Sequence, residues 1–313
     1  MLCKSETMTA STPLRYPGGK ARLRPYVERL IRQNGLYDAH YVEPFCGGAG
    51  IAIELLLSYV VSAIHINDFD RAVYAFWQSA THDTDDLCAR IENTPCNMDT
   101  WHAQRAIWKQ RETSDLLDLG FATFFLNRTN RSGILEAGVI GGKNQDGKWK
   151  LDARYNRSDL ISRIQSIGKL RTRVKVYNMD AKAFLEHVQP TLPEKSLVYL
   201  DPPYVEKGPG LYLNHYKETD HRSLAAWVKK ELHCPWMVSY DDHALIRECY
   251  GTEAIEMNLA YSAFGNARRG TELVYFSDGL EAPDMREHRA KGHQPWQAYG
   301  VVSAMPPIAP GTP

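Results

Sequence analysis

The chain of 313 residues is long enough for one large domain or two smaller ones with a buried core. Its 43% hydrophobic and 24% charged residues are ordinary globular usage, which excludes a mainly disordered, collagen-like or coiled-coil protein, and no apolar run approaches the roughly 20 residues of a membrane span. The formal net charge is zero, so a nucleic-acid site must be argued from where the charges lie.

The first elements predict the opening of a doubly wound α/β sheet. Apolar residues at helical spacing predict a helix over 20–34. A short buried strand over 41–45 then runs through a Gly-rich turn into an apolar helix over 51–59, and a second strand over 63–66 ends near Asp68. This strand, turn, helix and strand order is typical of a mostly parallel sheet with helices on its faces.

The same alternation returns in the second half of the chain. Strands are predicted over 174–177, 197–200, 236–240, 254–259 and 273–276, with helices over 181–188, 221–232 and 243–250. The second and third strands end near Asp68 and Asp180, which are 112 positions apart in the sequence. A βαβ unit needs only about 30 residues. The surplus between them predicts an inserted subdomain.

The insertion is basic. Residues 101–175 hold fifteen Lys and Arg against seven acids. Helices are predicted over 100–110 and 116–125, followed by a loop over 127–133. The dipeptide at 146–147, Asp-Gly, predicts a β-hairpin turn. We therefore expect a mostly helical subdomain with a basic hairpin, although a charged, solubilising surface is the alternative reading.

Nucleic-acid contacts are expected from this insertion. Phosphate contacts are predicted for Lys143, Lys148 and Lys150, and phosphate or base contacts for Arg128 and Arg131.

The Gly-rich turn at 44–50 reads Pro-Phe-Cys-Gly-Gly-Ala-Gly. Glycines between a strand and a helix let a ligand approach the backbone closely. The third glycine of a dinucleotide fingerprint is replaced by Ile53, so a nicotinamide cofactor is not indicated. Asp68 ends the next strand, where a carboxylate can accept hydrogen bonds from ribose hydroxyls, or can simply cap a helix.

The most specific motif follows the strand over 197–200 and reads Asp201, Pro202, Pro203 and Tyr204. Two prolines make a rigid turn without backbone donors. The Asp201 carboxylate and the Pro202 carbonyl then lie side by side as acceptors, and Tyr204 offers a flat ring. Two acceptors beside an aromatic ring suit a planar amine, while the alternative is a merely rigid turn.

Three motifs in this order, over 15–20 (RYPGGK), 44–50 and 201–204, resemble the Dam-like, alpha-group DNA adenine methyltransferases. The resemblance covers roughly 13–278. It implies a Rossmann-like, S-adenosylmethionine-dependent sheet with an inserted DNA-recognition subdomain, acting on the N6 amine of a flipped-out adenine in double-stranded DNA. It also implies a cytoplasmic enzyme, bacterial or phage-encoded, without membrane association or an obligate protein partner.

The same resemblance implies which residues form the site. The cofactor residues are Tyr16 and Lys20 at the methionine end, Phe45 and Gly47 along the wall, Asp68 at the ribose and Asp180 near the adenine, with Asp201 also counted among them. The residues that bind the target adenine are Asp201, Pro202 and Tyr204. No metal is expected, because the six Cys and eleven His show no metal-ligand spacing.

The expected domain division follows from the same resemblance. We expect a discontinuous catalytic domain over 13–70 and 166–278, and a target-recognition insertion over 71–165. Residues 279–313 carry six prolines without periodicity and predict a disordered tail. Two alternatives stay open: the same chemistry acting on RNA or on a protein glutamine, and a non-catalytic DNA-binding module.

Overall fold

The computed structural model of the chain describes residues 12–16, 20–205, 216–263 and 266–284. Most of the predicted tail and the centre of the 15–20 motif therefore lie outside the described residues. The strands are β1 (His40–Glu43), β2 (Ala63–Asn67), β3 (Val174–Tyr177), β4 (Ser196–Leu200), β5 (Trp236–Asp241), β6 (Ile255–Ala263) and β7 (Asn266–Phe276).

Helices connect most of these strands, and five helices in succession lie between β2 and β3. They are α1 (Arg24–Gln33), α2 (Gly50–Leu57), α3 (Arg71–His82), α4 (Thr84–Asn93), α5 (Met98–Lys109), α6 (Leu116–Thr129), α7 (Arg157–Gly168), α8 (Ala181–Val188), α9 (Glu218–Glu231) and α10 (Ala244–Tyr250).

The seven strands form one sheet in the order β3-β2-β1-β4-β5-β7-β6. The first five are parallel, and β7 runs antiparallel to both β5 and β6. The chain moves outward from β1 to β3 and then returns to β4 beside β1, so the strand order reverses between β1 and β4. A doubly wound sheet binds its ligands at this reversal, outside the carboxyl ends of the strands. The predicted Rossmann-like α/β class is confirmed.

The central strands show why this sheet forms. β4 reads Ser-Leu-Val-Tyr-Leu and is buried at all five positions, and β5 is buried at all six. A parallel strand covered by helices on both faces needs such a continuous apolar run. The strand ends are therefore marked by the first polar side chains, which places Asp201 at the carboxyl edge of β4.

The inserted helices share their core with the sheet. Trp101, Phe121 and Phe124 belong to the same buried cluster as Leu23 of the N-terminal segment and Tyr41 of β1. The insertion therefore packs onto the sheet through one continuous apolar core, and the expected domain boundaries near residues 70 and 166 stay a prediction.

Two predictions about the insertion are wrong. The predicted loop over 127–133 begins as helix, because α6 continues to Thr129. Asn127 is buried there, with its amide accepting from the Arg15 N–H and donating to the Arg15 carbonyl, both at 2.7 Å. This residue thus fastens the N-terminal segment to α6.

The predicted β-hairpin at 146–147 is absent from the described residues. The Gly147 N–H donates to Gly141 O at 3.1 Å, and the Gln145 side chain donates to Ile140 O and Gly142 O, each at 2.7 Å. These bonds coil residues 140–150 into successive turns. An Asp-Gly pair makes a hairpin only when alternating apolar residues flank it, and the flanks here are mostly polar.

Candidate active site

A cavity of about 920 Å³ opens at the carboxyl ends of β1 and β4. Its wall brings together Tyr16, Gly47, Asp68, Asp180 and Asp201, which are far apart in the sequence. Lys20 and Phe45 line the same cavity. Pro202 is buried and is not among the residues that line the cavity. The strand reversal thus collects most of the residues that the sequence motifs singled out.

The turn after β1 is held tightly. Gly47 has a φ of +44° and its N–H donates to Asp68 Oδ2 at 2.9 Å, while Trp77 Nε1 donates to the Gly47 carbonyl at 2.8 Å. A Cβ at Gly47 would stand 2.6 Å from Cε1 of Tyr16. The turn therefore requires glycine both for its backbone conformation and for its contact with the Tyr16 ring.

Asp68 links this turn to the start of α3. Its Oδ1 accepts from the Asp70 N–H at 2.9 Å, while Oδ2 accepts from Gly47. Burial and the nearby Asp70 carboxylate raise the pKa of Asp68 to about 7. Each carboxylate oxygen can accept more than one hydrogen bond, so Asp68 can hold the turn and still accept from a ligand in the cavity that it lines.

Two further residues of the expected cofactor wall have local structural partners. Asp180 is the N-cap of α8, where its Oδ1 accepts from the N–H groups of Lys182 and Ala183 at 3.0 and 3.2 Å. The Phe45 ring makes an edge contact with Tyr216, with ring centroids 5.7 Å apart. Both residues line the cavity, so these partners fix where each side chain stands.

Asp201 is held by one of its two oxygens. Oδ1 lies 3.1 Å from Lys20 Nζ and accepts from Ser239 Oγ at 3.1 Å. Ser239 is in turn within 2.8 Å of the Tyr199 hydroxyl. Burial raises the pKa of Asp201, and the Lys20 ammonium opposes part of that rise. Both contacts fall on Oδ1, and within the described residues no donor reaches Oδ2.

Lys20, which was expected at the methionine end of the cofactor, is deeply buried. Its side chain is 3% exposed, and its Nζ lies 3.1 Å from Glu272 Oε2 and 2.5 Å from the Tyr204 hydroxyl. Burial lowers the pKa of Lys20, but the Asp201 and Glu272 carboxylates outweigh it and leave the pKa raised. The ammonium thus belongs to the Asp201 cluster, and contact with the methionine end of a cofactor stays a prediction.

Tyr204 differs most from its expected placement. The residue is only 6% exposed and is not part of the cavity wall, whereas an open ring face was expected from the sequence. Its hydroxyl donates to Glu272 Oε1 at 2.5 Å, and Lys20 Nζ lies 4.7 Å from its ring centroid. The Tyr204 hydroxyl thus contacts two buried charged groups, Lys20 and Glu272, and each of them needs a polar partner.

Sequence reasoning missed two buried acids at this site. Glu272 lies on β7, and Glu43 ends β1 and lines the cavity. Burial raises the pKa of Glu43 to about 8, and its Oε1 has no hydrogen-bond partner within the described part of the chain. For Glu43 the available signal was an acid inside the predicted strand over 41–45, since such a residue is rarely buried unless it is paired. Glu272 offered no such signal, because it precedes the predicted strand over 273–276 and follows polar residues.

The expected DNA-contacting lysines lie on an exposed surface. Lys143, Lys148 and Lys150 are exposed, as is Trp149 between the last two, at 65%. Lys150 Nζ donates to Gln145 O at 2.6 Å, and Lys148 Nζ lies 5.7 Å from the Trp149 ring centroid. The turns at 140–150 therefore present a basic and aromatic surface.

The two expected arginines differ in environment. Arg131 is exposed. Arg128 is partly buried, donates to Arg154 O at 2.8 Å and Pro13 O at 3.4 Å, and has its pKa lowered to about 10 by burial and neighbouring arginines. Arg128 therefore joins the insertion to the N-terminal segment, and its contact with DNA stays a prediction.

The described residues offer neither a metal-binding cluster nor a membrane-spanning helix. No group of three or more His, Cys, Asp or Glu is arranged there to hold a metal ion. The helices within the same ranges include none that is long and apolar enough to cross a membrane.

Comparisons with known proteins agree with the motifs. Residues 16–262 match a family model described as D12 class N6 adenine-specific DNA methyltransferase. The chain is 23% identical, over 205 residues, to the type II methyltransferase M.MjaIII of Methanocaldococcus jannaschii, covering 61% of this chain and 68% of that one. The family match includes the turn at 44–50, the motif at 201–204 and the insertion between them.

Two solved structures match the chain at low sequence identity and low TM-score. The putative methyltransferase yhhF from Escherichia coli shares 11% identity at a TM-score of 0.32, covering 89% of this chain and 91% of that one. The rRNA methyltransferase aviRa from Streptomyces viridochromogenes shares 14% identity at a TM-score of 0.37, covering 88% and 94%.

Proposed function

Because its match extends over residues 16–262, the chain belongs to the D12 class N6 adenine-specific DNA methyltransferase family, and we propose that its cavity binds S-adenosyl-L-methionine beside a flipped-out adenine of double-stranded DNA. The reaction is site-specific methylation of adenine in DNA. One observation carries the proposal: the Gly47 turn with Asp68 and the carboxylate of Asp201 share one cavity at the strand reversal.

The cavity fits the cofactor in size and in chemistry. Its volume of about 920 Å³ lies within the range of sites for small molecules and cofactors. Gly47, Tyr16 and Phe45 line the wall, and Asp68 supplies an acceptor for ribose hydroxyls. Bound there, S-adenosyl-L-methionine supplies an electrophilic methyl group on a positively charged sulfur. Asp180 would stand near the adenine of the cofactor.

The adenine amine needs help from the protein because its lone pair is delocalised into the ring. We assign Asp201 Oδ2 and the Pro202 carbonyl as acceptors of the two amine hydrogens, since Oδ1 is already held by Lys20 and Ser239. These hydrogen bonds favour a pyramidal nitrogen whose lone pair can attack. Positive charge develops on that nitrogen, and a preorganised carboxylate stabilises it. Burial raises the pKa of Asp201, which suits Oδ2 to receive the proton that the nitrogen loses.

Extrusion of the base from the duplex costs a few kcal/mol. Stacking on an aromatic ring contributes ~1–3 kcal/mol per base, and the proposed partner is Tyr204. Because that ring is buried against Lys20, stacking on it requires its face to become exposed when DNA binds.

Cofactor affinity should fall as the pH drops below about 7, the raised pKa of Asp68. A ribose hydroxyl donates to the carboxylate but not as well to the protonated acid, so protonation competes with binding. The dissociation constant should therefore rise toward tenfold per pH unit below this pKa.

Calorimetry with S-adenosyl-L-methionine, in EDTA and over a series of pH values, measures this dependence and the one-to-one stoichiometry. Asp68→Asn should bind more weakly at neutral pH and lose the slope. A flat wild-type profile would remove Asp68 from the ribose site, and absence of binding in EDTA would contradict a metal-free cofactor site.

The insertion is the proposed DNA-binding element. Its residues 133–136 line the cavity, and the exposed lysines follow within the next turns. A basic surface beside the reaction centre can hold the phosphates of a duplex whose base enters the cavity. The similarity to a type II methyltransferase supports a role in restriction-modification.

Changing Lys143, Lys148 and Lys150 together to alanine should weaken DNA binding. The log–log salt slope should flatten by about 0.9 for each lysine that neutralises a phosphate, while the affinity for S-adenosyl-L-methionine stays unchanged. Fluorescence titrations of duplex DNA at several salt concentrations measure both the affinity and the slope.

The matched control changes Lys195, Lys229 and Lys230 to alanine. These exposed lysines lie just before β4 and in the last turn of α9, at the amino edge of the sheet and away from the cavity. The control should keep the wild-type slope. A wild-type slope in the first variant would place the DNA elsewhere. The next candidate is then the segment 13–32, which holds six Lys and Arg against one acid.

A further inference from the structure

Glu272 is a buried acid that the proposed reaction does not yet use. It lies on β7 opposite Asp241 of β5, and the residue is 1% exposed. Its Oε1 accepts from the Tyr204 hydroxyl at 2.5 Å, and its Oε2 lies 3.1 Å from Lys20 Nζ. A buried carboxylate is costly unless it is paired, so these contacts give Glu272 a defined place beside the adenine site.

The contacts of Lys20 connect Glu272 to Asp201. An ammonium has three N–H donors, and among the described residues Lys20 Nζ lies within hydrogen-bond distance of three oxygens, namely Tyr204 Oη, Glu272 Oε2 and Asp201 Oδ1. These contacts position Nζ, and Nζ in turn holds Oδ1. The other oxygen of Asp201 is thereby oriented for the amine.

We propose that Glu272 is a positioning residue for methyl transfer, which shares Lys20 with Asp201 and anchors the Tyr204 hydroxyl so that Asp201 presents a strongly accepting oxygen to the adenine amine. This inference rests on the proposed function of Asp201. Without Glu272, the whole charge of Lys20 acts on Asp201 and weakens its carboxylate as an acceptor.

The electrostatics agree with this arrangement. Burial raises the pKa of Asp201, the Lys20 ammonium lowers it, and the Glu272 carboxylate opposes the effect of Lys20 by raising it. Several titratable groups surround Asp201 or adjoin Glu272. They are Lys20 from the N-terminal segment, Tyr41 and Glu43 of β1, Tyr199 of β4, Tyr204 after β4, Asp241 of β5 and Glu272 of β7. Of these, Glu272 contacts both Lys20 and Tyr204 directly.

Glu272→Gln tests the inference, because glutamine keeps the shape and removes the charge. We expect kcat to fall about tenfold, the size of a lost hydrogen bond to a charged group, with unchanged KM for DNA and unchanged affinity for S-adenosyl-L-methionine. Removing a neighbouring negative charge lowers the pKa of Asp201, so the acidic limb of the kcat profile should move to lower pH. A merely structural role would not move that limb.

Glu256→Gln is the matched control. Glu256 lies on the neighbouring strand β6 and pairs with Arg247 at 2.9 Å. The Glu256→Gln variant should keep the wild-type kcat and pH profile. Glu272→Asp retains the charge, so its acidic limb should stay at the wild-type position even where kcat falls.

Three results would overturn the inference: a wild-type kcat in Glu272→Gln, an acidic limb that does not move, or a loss confined to cofactor affinity. If Glu272→Gln does not fold, Tyr204→Phe decides, because its hydroxyl bridges Lys20 and Glu272. A reduced kcat with unchanged KM supports the inference, and an unchanged kcat overturns it. Failure of the proposed function is distinguishable, because the wild-type protein would then not methylate DNA.

Discussion

Asp201→Ala should remove most methylation, by about 100-fold or more in kcat, because the carboxylate aimed at the developing charge is lost. The fold should survive the change. Lys20 retains Glu272 and Tyr204 as partners, so the substitution does not leave a buried ammonium without a counter-charge. Binding of S-adenosyl-L-methionine should persist, since Asp68 and the Gly47 turn are untouched.

Methyl incorporation into plasmid DNA, beside calorimetry with the cofactor, separates these effects. Asp99→Ala is the matched control, because Asp99 is exposed in the first turn of α5 in the insertion. The control should methylate at the wild-type rate. If Asp201→Ala also did so, the amine would be activated by another group and the assigned mechanism would be wrong.

Gly47→Ala should abolish most cofactor binding. Alanine at a φ of +44° is strained, and its Cβ would stand 2.6 Å from the Tyr16 ring. The turn must therefore move, which displaces both the cavity wall and the N–H that donates to Asp68. We expect a loss of unfolding free energy of ~1–3 kcal/mol and a loss of cofactor affinity of at least about tenfold, since a buried hydrogen bond is also lost.

Gly35→Ala separates backbone strain from the local clash. Gly35 follows α1 with a φ of +65°, and a Cβ there meets nothing within 4 Å. It should lose stability but keep wild-type affinity for S-adenosyl-L-methionine. Thermal melts and calorimetry on both variants measure the two quantities, and equal cofactor affinities would show that the turn is not part of the cofactor site.

The sheet could be predicted because its strands are continuous apolar runs. β3 and α8 agree with the predicted ranges, and β4 begins one residue earlier than predicted. α3 was not predicted, although its apolar residues, among them Val73, Phe76 and Trp77, recur at helical spacing and are buried. The hairpin prediction was wrong because it rested on the Asp-Gly pair alone, whereas a hairpin also needs alternating apolar residues on both sides of the turn.

The interior of the site could not be predicted, because its contacts join distant parts of the chain. The Tyr204 hydroxyl meets Lys20, 184 positions away, and Glu272, 68 positions away. A local motif shows that an aromatic ring follows Asp201 but not which way the ring points. From the motif alone, Tyr204→Phe is expected to keep substantial activity, since it keeps the ring. The hydroxyl contacts reverse that expectation.

We propose that this cavity methylates adenine in DNA through Asp201. The most direct test is sequencing with modified-base detection of plasmid DNA from a methylation-deficient host that expresses either the wild-type protein or Asp201→Ala. We expect N6-methyladenine at one defined sequence with the wild-type protein, and its loss with Asp201→Ala. Plasmid without modified adenine, or modification that persists in the variant, would contradict it.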